Sequence, residues 1–378
     1  MAIAFNKPFI SGNELKYISE AVNSGKLAGN GPFTKKCQQF FEERYGFKKC
    51  LLTTSGTSAL EMAAILTGVG PGDEVIVPSY TFVSSALAFA RQGASIVFCD
   101  SKADDPNLDE DKLEKLITPR TKVIVPVHYA GIACDMDRIM EIAARHDILV
   151  VEDAAQGVDS YCKDRPLGGI GHLGCFSFHE TKGVVSGEGG LLVINDDRFV
   201  KRSEIVWEKG TNRAEFFRGE VNKYGWVDMG GAFAPSELIA AFLWAQLESM
   251  DHIQQQRLQI WQRYYAALKP LADKGVFSLP AVPDFCRHNA HMFYLLFPTM
   301  EKRKAFMQIL KDKGIGCTAH FLALHSSDYY RDKYVGEPLG NCDKVVDTIC
   351  RLPLYCGLTE VEQELVIAAV KAAAGEIK

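Results

Sequence analysis

The sequence predicts an α/β fold: a large, mainly parallel sheet covered by helices on both faces, followed by a smaller α+β unit. Three observations carry this. Short, nearly all-apolar strand candidates recur at 51–54, 74–78, 95–100, 122–127, 148–151, 174–178 and 190–194, and strands that are apolar on both sides are buried on both sides. Helical windows at 58–67, 84–91, 109–116 and 137–146 separate many of them, the alternation that builds parallel crossovers. After Asp228 the texture changes to longer helices and mixed elements. The expected division is a large domain over 1–255 and a small C-terminal domain over 256–378.

The elements follow in order. Residues 13–24 read as an amphipathic helix with Leu15, Ile18 and Val22 on one face, spaced for a 3.6-residue period. A glycine-rich loop (25–32) leads into a helix through Cys37, Phe40 and Phe41. Beyond the sheet, 236–268 reads as nearly continuous helix, with Leu238, Ala241, Phe242, Ala245 and Leu247 as apolar positions. Pro270, Pro280 and Pro283 are expected to break the chain. A strand (292–297), a helix (302–313), a strand (316–321) and a last helix from Thr359 complete it.

Composition narrows the function. With 42 Lys and Arg against 47 Asp and Glu, the net charge is −5, which lacks the basic footprint of a nucleic-acid binder. Eleven scattered cysteines include no C-x-x-C pair, so neither a disulfide framework nor a metal site is expected. The reducing cytoplasm fits. The first residues lack a charged segment followed by an apolar one. No apolar run approaches the roughly 18 residues of a membrane span.

Four motifs stand at strand ends. Thr54-Ser55-Gly56-Thr57-Ser58 joins a strand to a helix. Glycine admits close approach there, and free helix-start amides favour phosphate; a plain N-cap explains the serine and threonine equally. Asp153 ends an apolar strand, with Gln156 three residues on. Ligands of open α/β sheets bind at that edge, and a carboxylate there can pair with a protonated ring nitrogen or cap the next helix. Ser177 and Lys182 lie in a strand-to-turn segment followed by Gly187-Glu188-Gly189-Gly190. A desolvated lysine there becomes a nucleophile near neutral pH, while a solvated loop lysine is the ordinary alternative. Phe82, just after the second strand, can stack on a planar ring or fill a core.

Taken together, and with segments 71–83, 125–131, 151–157, 175–182, 209–213 and 216–219, the chain resembles the DegT/DnrJ/StrS sugar aminotransferases along essentially its whole length. The resemblance implies the pyridoxal-phosphate-dependent transferase fold of aspartate aminotransferase type (fold type I). It implies pyridoxal 5'-phosphate held as a Schiff base on Lys182, with Asp153 on the ring nitrogen and Gln156 near the ring hydroxyl. Phe82 would lie on the ring face, and Gly56, Thr57 and Ser177 on the phosphate. It implies two half-reactions through pyridoxamine 5'-phosphate, with L-glutamate as donor. The acceptor would be a nucleotide-linked 4-keto-6-deoxy sugar, dTDP-4-keto-6-deoxy-D-glucose in the nearest match, leaving as dTDP-4-amino-4,6-dideoxy-D-galactose. It also implies a homodimer with shared active sites.

Arg213, Arg218 and His325 are candidates for substrate contacts, the arginines because a guanidinium fork matches carboxylate and phosphate. Many members carry Gly-x-Asn-x-Arg before the long helix, where this chain has Gly230-Gly-Ala232-Phe-Ala234. Neither alanine can make the polar contacts to the neighbour's phosphate. Four other readings compete: another nucleotide keto-sugar, a related dehydratase, a binding protein without turnover, and a nucleotide-sugar oxidoreductase, whose glycine fingerprint is absent. Dehydratase relatives carry histidine in place of the lysine, so Lys182 argues against them.

Overall fold

A computed structural model describes residues 2–377. A seven-stranded sheet forms its centre, in the order β1-β9-β8-β5-β4-β2-β3. These strands are β1 (Lys49–Thr53), β2 (Glu74–Pro78), β3 (Ser95–Cys99), β4 (Thr121–Ile124), β5 (Leu149–Asp153), β8 (Leu173–Ser177) and β9 (Gly190–Ile194). Only β9 runs against the others: it pairs antiparallel with β8 and β1, and the remaining pairs are parallel. The carboxyl ends of β1, β2, β5 and β8 therefore share one edge. β9 begins there too, since Gly190 pairs with both Ser177 and Thr53. Two-residue strands β6 (Tyr161–Cys162), β7 (Arg165–Pro166) and β10 (Cys286–Arg287) form a small side sheet, and β11 (Phe293–Leu296) pairs with β12 (Ile349–Leu352).

Helices cover both faces: α1 (Glu14–Asn23), α2 (Pro32–Tyr45), α3 (Gly56–Thr67), α4 (Ser84–Ala90), α5 (Leu113–Leu116), α6 (Met136–Arg145), α7 (Asp197–Trp207), α8 (Arg213–Phe217), α9 (Glu237–Glu248) and α10 (Met250–Ala272). One core packs Leu51, Val75, Val77, Val123 and Val151 against α3 and α4, and the other packs Leu52, Ile76, Ile124 and Val150 against α2, α6 and α9. Each strand's alternate residues thus go to opposite cores, as a two-sided sheet requires. A third core joins the second half of α10 (Ile260, Trp261, Tyr264, Leu268) to α11 (Met300–Asp312), α13 (Glu360–Glu376) and one face of β11 and β12. Ile3 from the N-terminal segment enters this core. The start of α10, through Met250 and Ile253, belongs instead to the sheet core. The remaining helix, α12 (Gly340–Thr348), precedes β12.

The structure corrects several expectations. Residues 236–268 are two helices, with a break at Ser249, where φ is −102° and ψ 9°. Pro270 does not break the chain: α10 carries it in its last turn and runs on to Ala272. Residues 316–321 are not a strand; Thr318 alone bridges to Arg351. The true partner of β11 is β12, which reads poorly because arginine interrupts an apolar run of four residues. In α1 the expected apolar face is only partly buried: Ile18 packs against the sheet core, Leu15 and Val22 are exposed, and Ala21 and Glu14 are buried. Glu14 accepts the amides of Ser11 and Gly12 and the Gln246 side chain. The glycine-rich loop has its own cause, since the buried Glu237 carboxylate accepts the amides of Gly31, Phe33 and Thr34 at 2.7–3.1 Å. A Cβ on Gly31 would lie 2.5 Å from that carboxyl carbon.

Candidate active site

The shared sheet edge opens into a cavity of about 580 Å³ whose walls include Gly56, Thr57, Phe82, Asp153, Gln156, Ser177 and Lys182. All seven positions singled out for a cofactor line this one cavity, from four separate chain segments.

α3 starts at the wall. Its cap, Ser55, accepts the Ser58 amide through its side chain, which leaves the first-turn amides of Gly56 and Thr57 without a helical acceptor. A Cβ on Gly56 would lie 2.8 Å from the Ser177 Cβ and 3.3 Å from the Phe176 carbonyl, so only glycine lets β8 press against the helix start. The Thr57 hydroxyl is held 2.7 Å from that of Ser84.

Asp153, 5% exposed, is fixed at both oxygens: Oδ2 accepts from the Ser85 hydroxyl at 2.7 Å and Oδ1 from the Ala155 amide at 3.1 Å. The Gln156 amide oxygen accepts the Ala130 N–H at 2.7 Å, which orients its NH2 end. Lys182 follows the β8 turn, its backbone amide donating to the His179 carbonyl. Burial pushes its amine down to about 8; the Asp153 charge opposes this shift and Arg351 adds to it. Beneath it a pocket of about 20 Å³, lined in part by Gln254 and Arg257, has room for one water. The Arg257 guanidinium donates to the Ala290 and His291 carbonyls.

The three proposed substrate contacts do not share this cavity. His325 is locked elsewhere. Its Nδ1 lies 2.8 Å from the Ser79 hydroxyl and its Nε2 3.4 Å from Asp343. Cys342 completes that cluster, so His325 faces α12 rather than the cavity. Arg218 pairs with Glu204 and Glu220 on the surface. Arg213 is exposed, its guanidinium over the Phe217 ring. Ala232 bridges to Glu208 through the backbone.

The sequence reading missed Arg351, His291 and His320 in the cavity wall. Arg351 carried a usable signal, as the only charged residue in Ile349-Cys-Arg-Leu352. His291 and His320 sit in irregular segments and carried none. Burial holds His291 well below its ordinary value, helped by Lys182, Arg257 and Arg351.

A lysine whose amine is lowered to about 8, sharing a cavity with a fixed carboxylate and an open helix start, suits an enzyme that handles amines through a phosphorylated carbonyl cofactor. With this fold it defines an aminotransferase of the pyridoxal-phosphate type. The chain belongs to the DegT/DnrJ/EryC1/StrS aminotransferase family, whose sequence profile matches residues 8–371. Pyridoxal 5'-phosphate is the cofactor of this family, and the residues present fit it: a helix start with free amides beside Ser177, a lysine amine and a strand-end carboxylate.

Three solved structures illustrate the similarity. A protein of Streptococcus pneumoniae that bears the name sugar aminotransferase, in its PLP form, is 26% identical with a TM-score of 0.90, and each chain is covered completely (100%). The aminotransferase TlmJ of Streptoalloteichus hindustanus is 27% identical over 100% of both chains, with a TM-score of 0.92. DesV of S. venezuelae, solved in complex with a ketimine intermediate, is 28% identical, covering 99% of this chain and 98% of its own, with a TM-score of 0.90.

Proposed function

We propose that this enzyme transfers the amino group of L-glutamate to a dTDP-linked 4-keto-6-deoxy hexose, giving dTDP-4-amino-4,6-dideoxy-D-galactose, with Lys182 as the cofactor-bearing and proton-moving residue. The observation that carries the reading is the Lys182 amine, lowered to about 8 in one cavity with Asp153 and the start of α3.

Pyridoxal phosphate supplies a carbonyl that receives amines and a ring that takes up electron density. The protein supplies the rest. Lys182 Nζ, neutral in an appreciable fraction of molecules near pH 7, attacks a carbonyl. Once displaced by the donor amine, it would be free to take the proton from the donor carbon and return it two atoms away, across the nitrogen. Asp153, fixed by Ser85 and Ala155, keeps a ring nitrogen protonated through its negative charge. Gly56, Thr57 and Ser177 would hold the phosphate, Gln156 would meet the ring edge, and Phe82 would lie on its face. A volume of about 580 Å³ is within the range of small-molecule sites.

The sugar rests on the likeness of segments 71–83, 151–157 and 175–182; another nucleotide keto-sugar is the alternative acceptor. The reading includes a homodimer. Segment 216–229 exposes Phe217, Tyr224, Trp226, Val227 and Met229, apolar side chains of the kind a subunit interface covers. Arg213 and Arg218 lie in or beside this segment and are proposed to meet the substrate diphosphate across the subunit boundary. Eleven free cysteines suit a reducing cytoplasm.

Borohydride reduction of the loaded protein, followed by peptide mapping, tests the assignment. The cofactor is expected on the peptide containing Lys182; labelling of any other lysine would remove the basis of the proposal.

A further inference from the structure

Three side chains with metal-binding atoms meet outside the cofactor cavity. A ring nitrogen of His325, the sulfur of Cys342 and a carboxylate oxygen of Asp343 all lie within 4.8 Å of one another. His325 stands in the segment between Phe321, which lines the cavity, and α12. Cys342 and Asp343 belong to the start of α12. Ser79, directly after β2, holds the group against the sheet edge. The cysteine spacing does not reveal this group, since only one of its members is a cysteine.

The members are held in place. His325 and Cys342 are buried, while the Asp343 side chain is 53% exposed and opens the group to solvent. The Ser79 hydroxyl oxygen lies 2.8 Å from His325 Nδ1 and accepts the His325 backbone amide at 3.2 Å. This fixes the ring and leaves Nε2 as the free ligand atom. Metal-bound histidines are oriented in this way, by a hydrogen bond from the nitrogen that does not bind. With Nδ1–H donating to Ser79 Oγ, the Ser79 proton is free for the Cys342 sulfur, which is within its reach. The Cys342 backbone is pinned as well, its amide donating to Asp100 Oδ1 at 2.8 Å. Nε2 and Asp343 Oδ1 are 3.4 Å apart, long for a good hydrogen bond. It is the separation of two ligands on one ion: bonds of about 2.0–2.1 Å at a tetrahedral angle put nitrogen and oxygen about 3.3 Å apart.

We propose that His325, Cys342 and Asp343 form a binding site for a zinc ion, with water in the fourth position on the open side of Asp343. Imidazole, thiolate and carboxylate make a mixed set that zinc takes. Magnesium and calcium take oxygen ligands and are disfavoured by the sulfur. Burial keeps the Cys342 thiol protonated in the metal-free protein, and coordination as the thiolate releases that proton to solvent. The ion joins α12 to the segment that carries His320 and Phe321 into the cavity wall, and so braces one side of the cavity without entering it. The site stands apart from the transamination reading and holds whichever sugar is the acceptor.

The test uses the cofactor-loaded full chain, as wild type, Cys342→Ser and Asp343→Asn. Each is titrated with Co2+, a spectroscopic stand-in for zinc, and difference spectra are taken against the same protein without cobalt. One equivalent should give the wild type the intense visible bands of a four-coordinate ion and a near-ultraviolet cobalt–thiolate band, and Zn2+ should displace both. Cys342→Ser should lose the thiolate band. Asp343→Asn, a change at the surface that leaves the fold intact, should weaken Co2+ binding by at least the roughly ten- to hundredfold that loss of an outer partner costs. Zn2+ should raise the Tm of the wild type and raise that of Asp343→Asn less. Absence of four-coordinate bands in a wild type that keeps its cofactor band and Tm would overturn the proposal. So would cobalt bands that persist unchanged in both variants, since the ion would then lie elsewhere.

Discussion

Lys182 and Asp153 face each other as a base and its opposing charge, and each makes a separate prediction. With its amine lowered to about 8, Lys182 is protonated and unreactive below that pH and free above it. The rate at which cofactor-free protein gains its visible band with added pyridoxal phosphate should rise with pH and level off above about 8; a plateau near 10.5, the ordinary lysine value, would show that burial does not act on it. Lys182→Ala should lose that covalent band and slow transamination by roughly 10²- to 10⁴-fold from lost proton transfer alone, measured as single-turnover glutamate conversion. Asp153→Asn keeps the shape but removes the charge that Ser85 and Ala155 hold in place. Its glutamate half-reaction should slow by about ten- to a hundredfold, the worth of one charge-assisted contact. These two residues were legible in the sequence because Asp153 ends a buried apolar strand and Lys182 lies in the turn beyond another. Arg351 was not read, because its place depends on which face of β12 meets the cavity. His325 lies outside the cavity, held to Ser79 by a hydrogen bond between residues 246 positions apart that the sequence does not reveal.

α3 and the β8 turn form the phosphate wall, and their contact is what a helix-scale test should disturb. Gly56→Ala puts a methyl group 2.8 Å from the Ser177 Cβ. Overpacking of this kind costs about 1–3 kcal/mol, so a lower Tm and faster cofactor loss on dialysis are expected. Ser55→Ala removes the cap bond to the Ser58 amide and the contact with the Ser58 hydroxyl, worth about 1 kcal/mol, and should lower Tm while leaving cofactor affinity nearly unchanged. Equal loss of cofactor in both variants would show that helix stability, not the Gly56 cradle, sets binding. The sheet strands were legible because burial on both faces writes itself as short apolar runs. The run through 236–268 hid a break at Ser249, where no glycine or proline marks the turn. The proline that was expected to break α10 sits in its final turn. β12 needed knowledge of its partner: a four-residue strand with an arginine has no period of its own.

At the scale of the whole molecule, the sheet gathers distant motifs because β1, β2, β5 and β8 end at one edge, and antiparallel β9 returns the chain there. That convergence followed from the alternation of strands and helices, whereas the reach of α10 from one core into another did not. The apolar side chains of 216–229 should be covered by a second copy. Sedimentation is expected to give a dimer, and Trp226→Glu with Met229→Glu to shift it toward monomer; an unchanged mass would place the interface elsewhere. The most direct test of the account is the visible spectrum of the loaded protein, recorded alone, after L-glutamate and after TDP-4-keto-6-deoxyglucose. The account predicts that glutamate bleaches the band and that the sugar restores it. A band that glutamate leaves untouched would contradict transamination at Lys182.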